Sequence, residues 1–241
     1  MSIKVLLLWS TYLSIGVVTA QSIDSYSPPP ASLVSLGHIA SRLKDCQEVN
    51  ATQFTKLNVR FICKLASGEL YFDSGLELDD DGDTTTAFPT DWRSQWPHQT
   101  STAYRTSSSP LNPMIVSYIV LPGAGASHAK PFYSVHGIAK GDGAIVVWKG
   151  HIVPAVFGDV GPQNQLGEAS LHTIVQLDPT WVPFTRDSHN KNILRTSNAA
   201  YPSAEVLTIV FPGTSQGPVL RDVKGLYKVV LNRFATLRDS K

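Results

Sequence analysis

The sequence predicts a mainly β (α+β) fold: a compact, barrel-like β body with a few flanking helices, a double-psi-like closure being one form of it. Three observations lead there. From residue 59 onward, short runs rich in β-branched and aromatic residues recur at 59–63, 70–72, 115–121, 132–136, 144–148, 151–157 and 206–211, each bounded by Gly, Pro, Asp or Ser. Sustained helical periodicity belongs mainly to the C-terminal stretch. With 241 residues, 42% of them hydrophobic, the chain is long enough for one good-sized core and short for two.

In chain order, residues 1–20 place one lysine before an apolar run and end on Val18, Thr19 and Ala20, the small-x-small pattern of a cleavable signal peptide. Ser10, Thr11, Ser14 and Gly16 interrupt the run, which falls short of the roughly 20 apolar residues of a spanning helix. The expectation is therefore a secreted, extracellular chain starting at Gln21, with no membrane association after cleavage. Residues 21–32 are rich in Pro and Ser, and residues 33–241 are read as one domain. Leu33, Val34, Ile39, Ala40 and Leu43 recur at helical spacing and predict a short helix that carries His38, with Gly37 weakening it. Residues 97–113, rich in Ser and Thr, read as a long surface loop of the kind that lines a cleft. A helix is predicted over 169–177, and another where Val223, Leu226, Tyr227, Val230, Leu231, Phe234 and Leu237 share one face. That stripe is core packing.

Charge excludes some partners. Lys and Arg number 20 against 19 Asp and Glu, and the leader carries only Lys4, so its removal leaves the signs in balance. A nucleic-acid partner would favour a basic surface, so none is expected. The two cysteines, Cys46 and Cys63, are most simply a disulfide in an oxidising compartment. Between them, Asn50-Ala51-Thr52 reads as an N-glycosylation acceptor. The seven histidines, His38, His98, His128, His136, His151, His172 and His189, show no metal-ligand spacing, and no G-x-S-x-G elbow occurs. No metal and no cofactor are expected.

The strongest local feature is AVFGDVGPQNQLGEAS. A strand is expected to end at Gly158, Asp159 to follow it, a turn to form at Gly161-Pro162, and Glu168 to stand at a helix start. Two carboxylates on the rims of one loop can face each other, which is what acid/base cleavage of a glycosidic bond requires. The plainer reading is that Asp159 caps a turn and Glu168 caps the helix, and spacing by itself favours it. If the pair is catalytic, a helix terminus would favour charged Glu168 as base and a strand end would favour protonated Asp159 as acid. A second feature, LELDDDGD at 76–83, resembles the start of a calcium loop, but counting from Glu77 its twelfth position is Phe88, where such a loop needs a carboxylate. It reads either as an acidic patch for a cationic sugar or as a solvated turn. Trp92, Trp96 and Tyr104 are candidates for stacking on sugar faces, with core or loop anchoring as the alternative.

The order LYFDSGLELDDDGD, QTSTAY, LNPMIVSYIVLPG, KGDGAIVVWKGHIVPAVFGDVGPQNQLGEASLHTI and VLTIVFPG resembles the fungal-type chitosanases of glycoside hydrolase family 75 and their bacterial relatives, over about residues 59–234. The resemblance implies endo-hydrolysis of β-1,4-linked glucosamine polymers with inversion, and its essential pair falls on Asp159 and Glu168. It also implies that Asp79, Asp81 and Asp142 bind substrate or support the cleft. Glu77, where an Asp is usual, and Asp80, where a small residue or Cys is usual, depart from the family pattern. The expected partner is chitosan or a related amino-sugar polysaccharide, acted on by a monomer. Two alternatives stand beside this reading: a hydrolase of another amino-sugar polymer, such as partly acetylated chitin or peptidoglycan, and a non-catalytic carbohydrate-binding module.

Overall fold

The computed structural model describes residues 46–82, 101–125, 130–181, 184–186, 194–196 and 200–239. The leader, the helix expected over residues 33–43, His38, His98, His128, His189, Trp92 and Trp96 lie outside the described residues. In chain order the strands are β1 (Cys46–Glu48), β2 (Phe61–Leu65), β3 (Leu70–Asp79), β4 (Arg105–Thr106), β5 (Tyr118–Pro122), β6 (Gly143–Trp148), β7 (His151–Gly161), β8 (Glu168–Ser170), β9 (Phe184–Arg186), β10 (Leu194–Thr196), β11 (Ala200–Phe211) and β12 (Val219–Leu220). The helices are α1 (Phe132–Val135), α2 (Leu171–Leu177) and α3 (Val223–Asp239).

Eight strands form one sheet in the order β1-β2-β3-β11-β6-β7-β5-β8, and β8 returns to pair with β3. That last pairing closes β3, β11, β6, β7, β5 and β8 into a six-stranded barrel, with β1 and β2 continuing from β3. Closure leaves these strands without the open edges that an unclosed sheet exposes. The β3–β8 and β5–β7 pairings are parallel, while β6 and β7 form an antiparallel hairpin. Its two-residue turn has Lys149 at φ 46° and Gly150 at φ 85°, both left-handed, as a type I′ connection requires.

Side chains alternate between two buried apolar clusters. Ile145, Val147, Val156, Ile209 and Phe211 pack with Leu226, Val230 and Phe234 of α3, so the C-terminal stripe is core, as its periodicity predicts. Gly143 permits the close approach, since a Cβ there would lie 2.0 Å from Val230 Cγ2. Ala144, Val146, Val153, Ala155, Phe157 and Val210 face the other way, onto Ile174 and Leu177 of α2. Ser170 caps α2 by accepting the Thr173 N–H at 3.2 Å, and the same hydroxyl donates to the Val116 carbonyl at 2.8 Å. Cys46 and Cys63 form the expected disulfide across the β1–β2 pair.

Three expectations change. Residues 132–136, read as a strand, form the single helical turn α1: Pro131 presets its entry, Gly137 at φ 73° ends it, and so short an apolar run carries no period to separate helix from strand. The strand at 151–157 does not stop at Gly158 but runs on to Gly161, because its last residues pair with β5. Glu168 opens strand β8 rather than a helix, held there by pairing with β3 on one side and β5 on the other.

One irregularity sets the faces of the barrel. In the β5–β7 pairing Ile119 lies opposite Phe157, but Val120 lies opposite Asp159, so Gly158 is an unmatched bulge residue. A slip of one residue turns a side chain to the other face. Asp159 therefore leaves the face of Phe157 and joins that of Val120, forming one row with Glu168 and Glu77 across four strands. The opposite face at that level is the apolar set Leu78, Ala169, Ile119 and Phe157.

The bulge is sterically specific: a Cβ at Gly158 would lie 2.6 Å from Tyr118 Cβ and 2.8 Å from Leu111 Cδ1. Gly158→Ala should therefore lose about 1–3 kcal/mol of stability, the usual range for overpacking. Urea unfolding monitored by circular dichroism measures it, and a midpoint equal to wild type would remove the bulge from its structural role.

Candidate active site

Asp159, Glu168, Asp79, Asp81, Val120, Val160, Gly161 and Pro162 line one open cleft of about 200 Å³. That is smaller than the roughly 300–1,000 Å³ of an enclosed drug-sized pocket, as suits one station of a groove open at its ends. Asp159 and Glu168 both pair with Val120, on its opposite sides, so adjacent strands place their backbones about 10 Å apart. Glu168 leans back across this gap. A Cβ on Gly161 would lie 2.6 Å from Glu168 Oε2 and 2.9 Å from Val120 Cγ1, so the absence of a side chain at Gly161 gives the carboxyl its place.

The two carboxyls differ in surroundings. Asp159 is buried, and its Oδ1 accepts the N–H groups of Ala103 and Val160, each at 2.8 Å. Burial raises its pKa above the usual carboxylate range, while the two N–H groups oppose the rise by favouring the charged form. Glu168 accepts no hydrogen bond among the described residues. Burial first, then the neighbouring charge of Glu77, push it up to about 7, with Lys56 pulling the other way. Glu77 is held beside it by a relay in which Lys56 Nζ donates to Gln165 Oε1 at 3.0 Å and Gln165 Nε2 donates to Glu77 Oε2 at 2.7 Å. The helix-terminus argument for a charged Glu168 does not hold, because β8 separates this residue from the first turn of α2.

Asp79 and Asp81 also reach the cleft, half-buried at the end of β3. The Asp81 N–H donates to Asp79 Oδ1 at 3.0 Å, and the Tyr118 hydroxyl pins this turn by donating to the Asp81 carbonyl at 2.7 Å. Burial, with the charges of Asp159, Asp81 and Glu168, lifts Asp79 to about 8, and burial with Asp81 lifts Asp80 to about 6. One carboxylate oxygen from each of Asp79, Asp80 and Asp81 comes within 4.8 Å of the others, so these are the described residues grouped closely enough to hold a cation.

Asp142 does not join them. It is wholly buried away from the cleft, its carboxylate filled by the N–H groups of Ala139, Thr214 and Ser215 at 2.8–2.9 Å, so it braces loops, which is the supporting one of the two roles the resemblance implies. Tyr104 is likewise buried and cannot stack on a sugar. Asn50 is exposed, with its Oδ1 accepting the Thr52 N–H at 2.9 Å. His172 is half-buried against the Ser117 hydroxyl at 2.9 Å and held down at about 4 by desolvation, which leaves it neutral. Two contributors escaped the sequence reading. The Ala103 N–H is a backbone group with no side-chain signal, and Gln165 stood unremarked inside the motif, its relay to Glu77 depending on Lys56 109 residues away.

The family model of fungal chitosanase of glycosyl hydrolase group 75 matches residues 73–228, well over half of the chain and every residue lining the cleft. The chain belongs to glycoside hydrolase family 75. It is thus a glycoside hydrolase of the chitosanase type, and its substrate class is an amino-sugar polysaccharide. No curated protein matches it.

The raised carboxyls carry a pH signature. A carboxyl whose folded pKa lies above its unfolded value binds more protons when folded, so stability falls as pH rises between the two values. For Asp79 the window runs from its ordinary value near 4 to about 8. The wild type should therefore become steadily less stable from pH 5 to 8, and Asp79→Asn should flatten that slope. Thermal unfolding across this range measures both, and equal slopes would place Asp79 in an ordinary solvated setting.

Proposed function

We propose that the chain is a secreted endo-chitosanase that cleaves β-1,4 bonds with inversion, with Glu168 as general acid and Asp159 as general base. The observation that carries the assignment is the difference in their partners. Two backbone N–H groups favour a charged Asp159, the form that takes a proton from water. Glu168, pushed up to about 7 by burial and then by the charge of Glu77, keeps the proton that the leaving oxygen must receive. These are the reverse of the roles expected from position along the chain.

Spacing supports inversion. Glu168 Oε2 is seated over Gly161, one two-residue strand step, or about 7 Å, along β7 from Asp159. Inverting pairs stand roughly 6.5–9.5 Å apart to admit a water, and retaining pairs about 5–5.5 Å. In the reaction the Glu168 proton passes to the glycosidic oxygen while Asp159 takes a proton from water, whose oxygen bonds to the anomeric carbon from the opposite face. Asp79 and Asp81 offer acceptors to the sugar ammonium groups, and an arriving cation draws off the proton that burial holds on Asp79. The leader and the disulfide agree with export, and Asn50 is placed to accept a glycan.

Asp159→Asn and Glu168→Gln should each lower kcat at least ~10²-fold while folding normally. Azide should rescue Asp159→Ala on a substrate with an activated leaving group and give a product of inverted configuration. Rescue of Glu168→Ala in its place would exchange the roles. In the wild type, kcat/KM on soluble glucosamine oligomers should fall as pH rises through about 7, where the acid loses its proton. A decline beginning near pH 4 would contradict a protonated Glu168.

A further inference from the structure

A second cavity, of about 220 Å³, lies over the ends of β5 and β7 and includes Gly125, Lys130, Phe132, Val135, His136 and Gln163 in its walls. It continues the catalytic cleft. Gly161 and Pro162 line the cleft and the next residue, Gln163, lines this cavity, while the Gly123 N–H donates to the Gly161 carbonyl at 3.0 Å. Gly123 is three residues past Val120, about 10 Å along the strand. In the opposite direction Asp79 pairs with Ser170, two residues past Glu168. The acids, the reactive row and the second cavity therefore follow one another along the strand direction.

The chemistry changes along that line. The cleft is rich in carboxylates, whereas the residues lining this cavity include none and do include the exposed Lys130. Lys64 Nζ approaches the His136 carbonyl at 3.4 Å, adding a second positive charge nearby. Burial, then this charge, lower the His136 pKa and keep its ring neutral. Apolar surface is present too: Val135 is 62% exposed and stands beside Phe132. Gly125 leaves room for the Gln163 amide, since a Cβ there would fall 1.9 Å from Gln163 Oε1.

We propose that this cavity is a sugar subsite that takes an N-acetylated unit, so that the enzyme prefers partly acetylated chitosan with an acetyl group at one fixed place relative to the cut. The proposal rests on the reading of the chain as a chitosan hydrolase. A glucosamine ammonium group would meet like charge there, with no carboxylate among the described lining residues to offset it. An acetamido group is neutral, hydrogen-bonds with the Gln163 amide, and sets its methyl against Val135 and Phe132.

The test digests chitosan of defined partial acetylation and sequences the products. N-acetyl units should be enriched at one fixed position from the cleaved bond by about five-fold, the factor one unit charge at contact distance is worth in water. Lys130→Glu should shift that position toward glucosamine, read as the ratio of glucosamine to N-acetylglucosamine there, and a ratio equal to wild type would overturn the role of the charge. Random acetylation at every position in an otherwise active digest would overturn the subsite and leave the hydrolase reading intact. If the polymer is not cut at all, the hydrolase reading fails and the subsite is judged by binding. Wild type titrated with a mixed glucosamine and N-acetylglucosamine oligomer should show NMR shifts at Gly125, Val135 and Gln163 that the fully deacetylated oligomer does not produce. Equal shifts with both oligomers, or none at these residues, would overturn it.

Discussion

A β-strand turns successive side chains to opposite faces, so an uninterrupted β7 would carry Asp159 to the same side as Val153, Ala155 and Phe157, into an apolar cluster. An acid there could not meet Glu168. The bulge at Gly158 removes one residue from the pairing count and brings Asp159 round to the face of Val120. Much of the surrounding structure maintains that detour. Tyr118 and Leu111 fill the space a side chain at 158 would need, and the Tyr104 N–H takes the Gly158 carbonyl at 2.8 Å. The Ser/Thr-rich segment around Thr102 thus completes β7: its Tyr104 N–H satisfies the bulge carbonyl, and its Ala103 N–H holds the carboxylate that the bulge has turned.

Gathering Asp159, Glu168, Asp79 and Asp81 in one cleft, with Glu77 adjacent, makes full ionisation unfavourable, since each charge is desolvated and repelled by the next. Part of the strain is relieved by holding protons, which is why Asp79 and Glu168 are pushed upward. A polycation relieves it differently, by supplying the missing positive charge. Binding such a substrate and releasing protons from the acidic end of the groove are therefore linked. Local charge can achieve this on a chain whose signs nearly cancel, 20 basic against 19 acidic residues.

What could be read in the sequence followed how far each cause reaches along the chain. β6, the hairpin turn at Lys149-Gly150 and the α3 stripe are specified by neighbours within a few positions, and the strand at 144–148 and the C-terminal helix were legible from composition and period. Strands β1, β4, β8, β9, β10 and β12 are two or three residues long, too short to show alternation, and exist because a partner strand lies beside them. The pairing of Asp159 with Glu168 was legible as a motif, but the face each would occupy was not, because it turns on the Ile119/Val120 register about 40 residues upstream. Asp142 was expected to bind substrate or support the cleft only because the family resemblance implies it. Its placement was decided by N–H groups at Ala139, Thr214 and Ser215, two of them more than 70 residues away.

The acid and base roles proposed for Glu168 and Asp159 require two similar carboxyls to hold different protonation states a few ångströms apart, and the fold surrounds the two with unlike means. Asp159 is treated with backbone: two N–H groups, one from its own strand and one from the segment laid over the bulge, donate to a single oxygen. Glu168 is treated with crowding. The parallel β3–β8 register sets it directly beside Glu77, and the relay from Lys56 through Gln165 reaches Glu77 while making no hydrogen bond to Glu168 itself. Because β3 feeds both this pair and the acidic turn at Asp79–Asp81, one strand carries both the charge that adds to burial in raising Glu168 and the carboxylates proposed to face the substrate's ammonium groups. On the proposed roles, proton placement and substrate charge recognition are thus tied to a single register, the one that also closes the barrel.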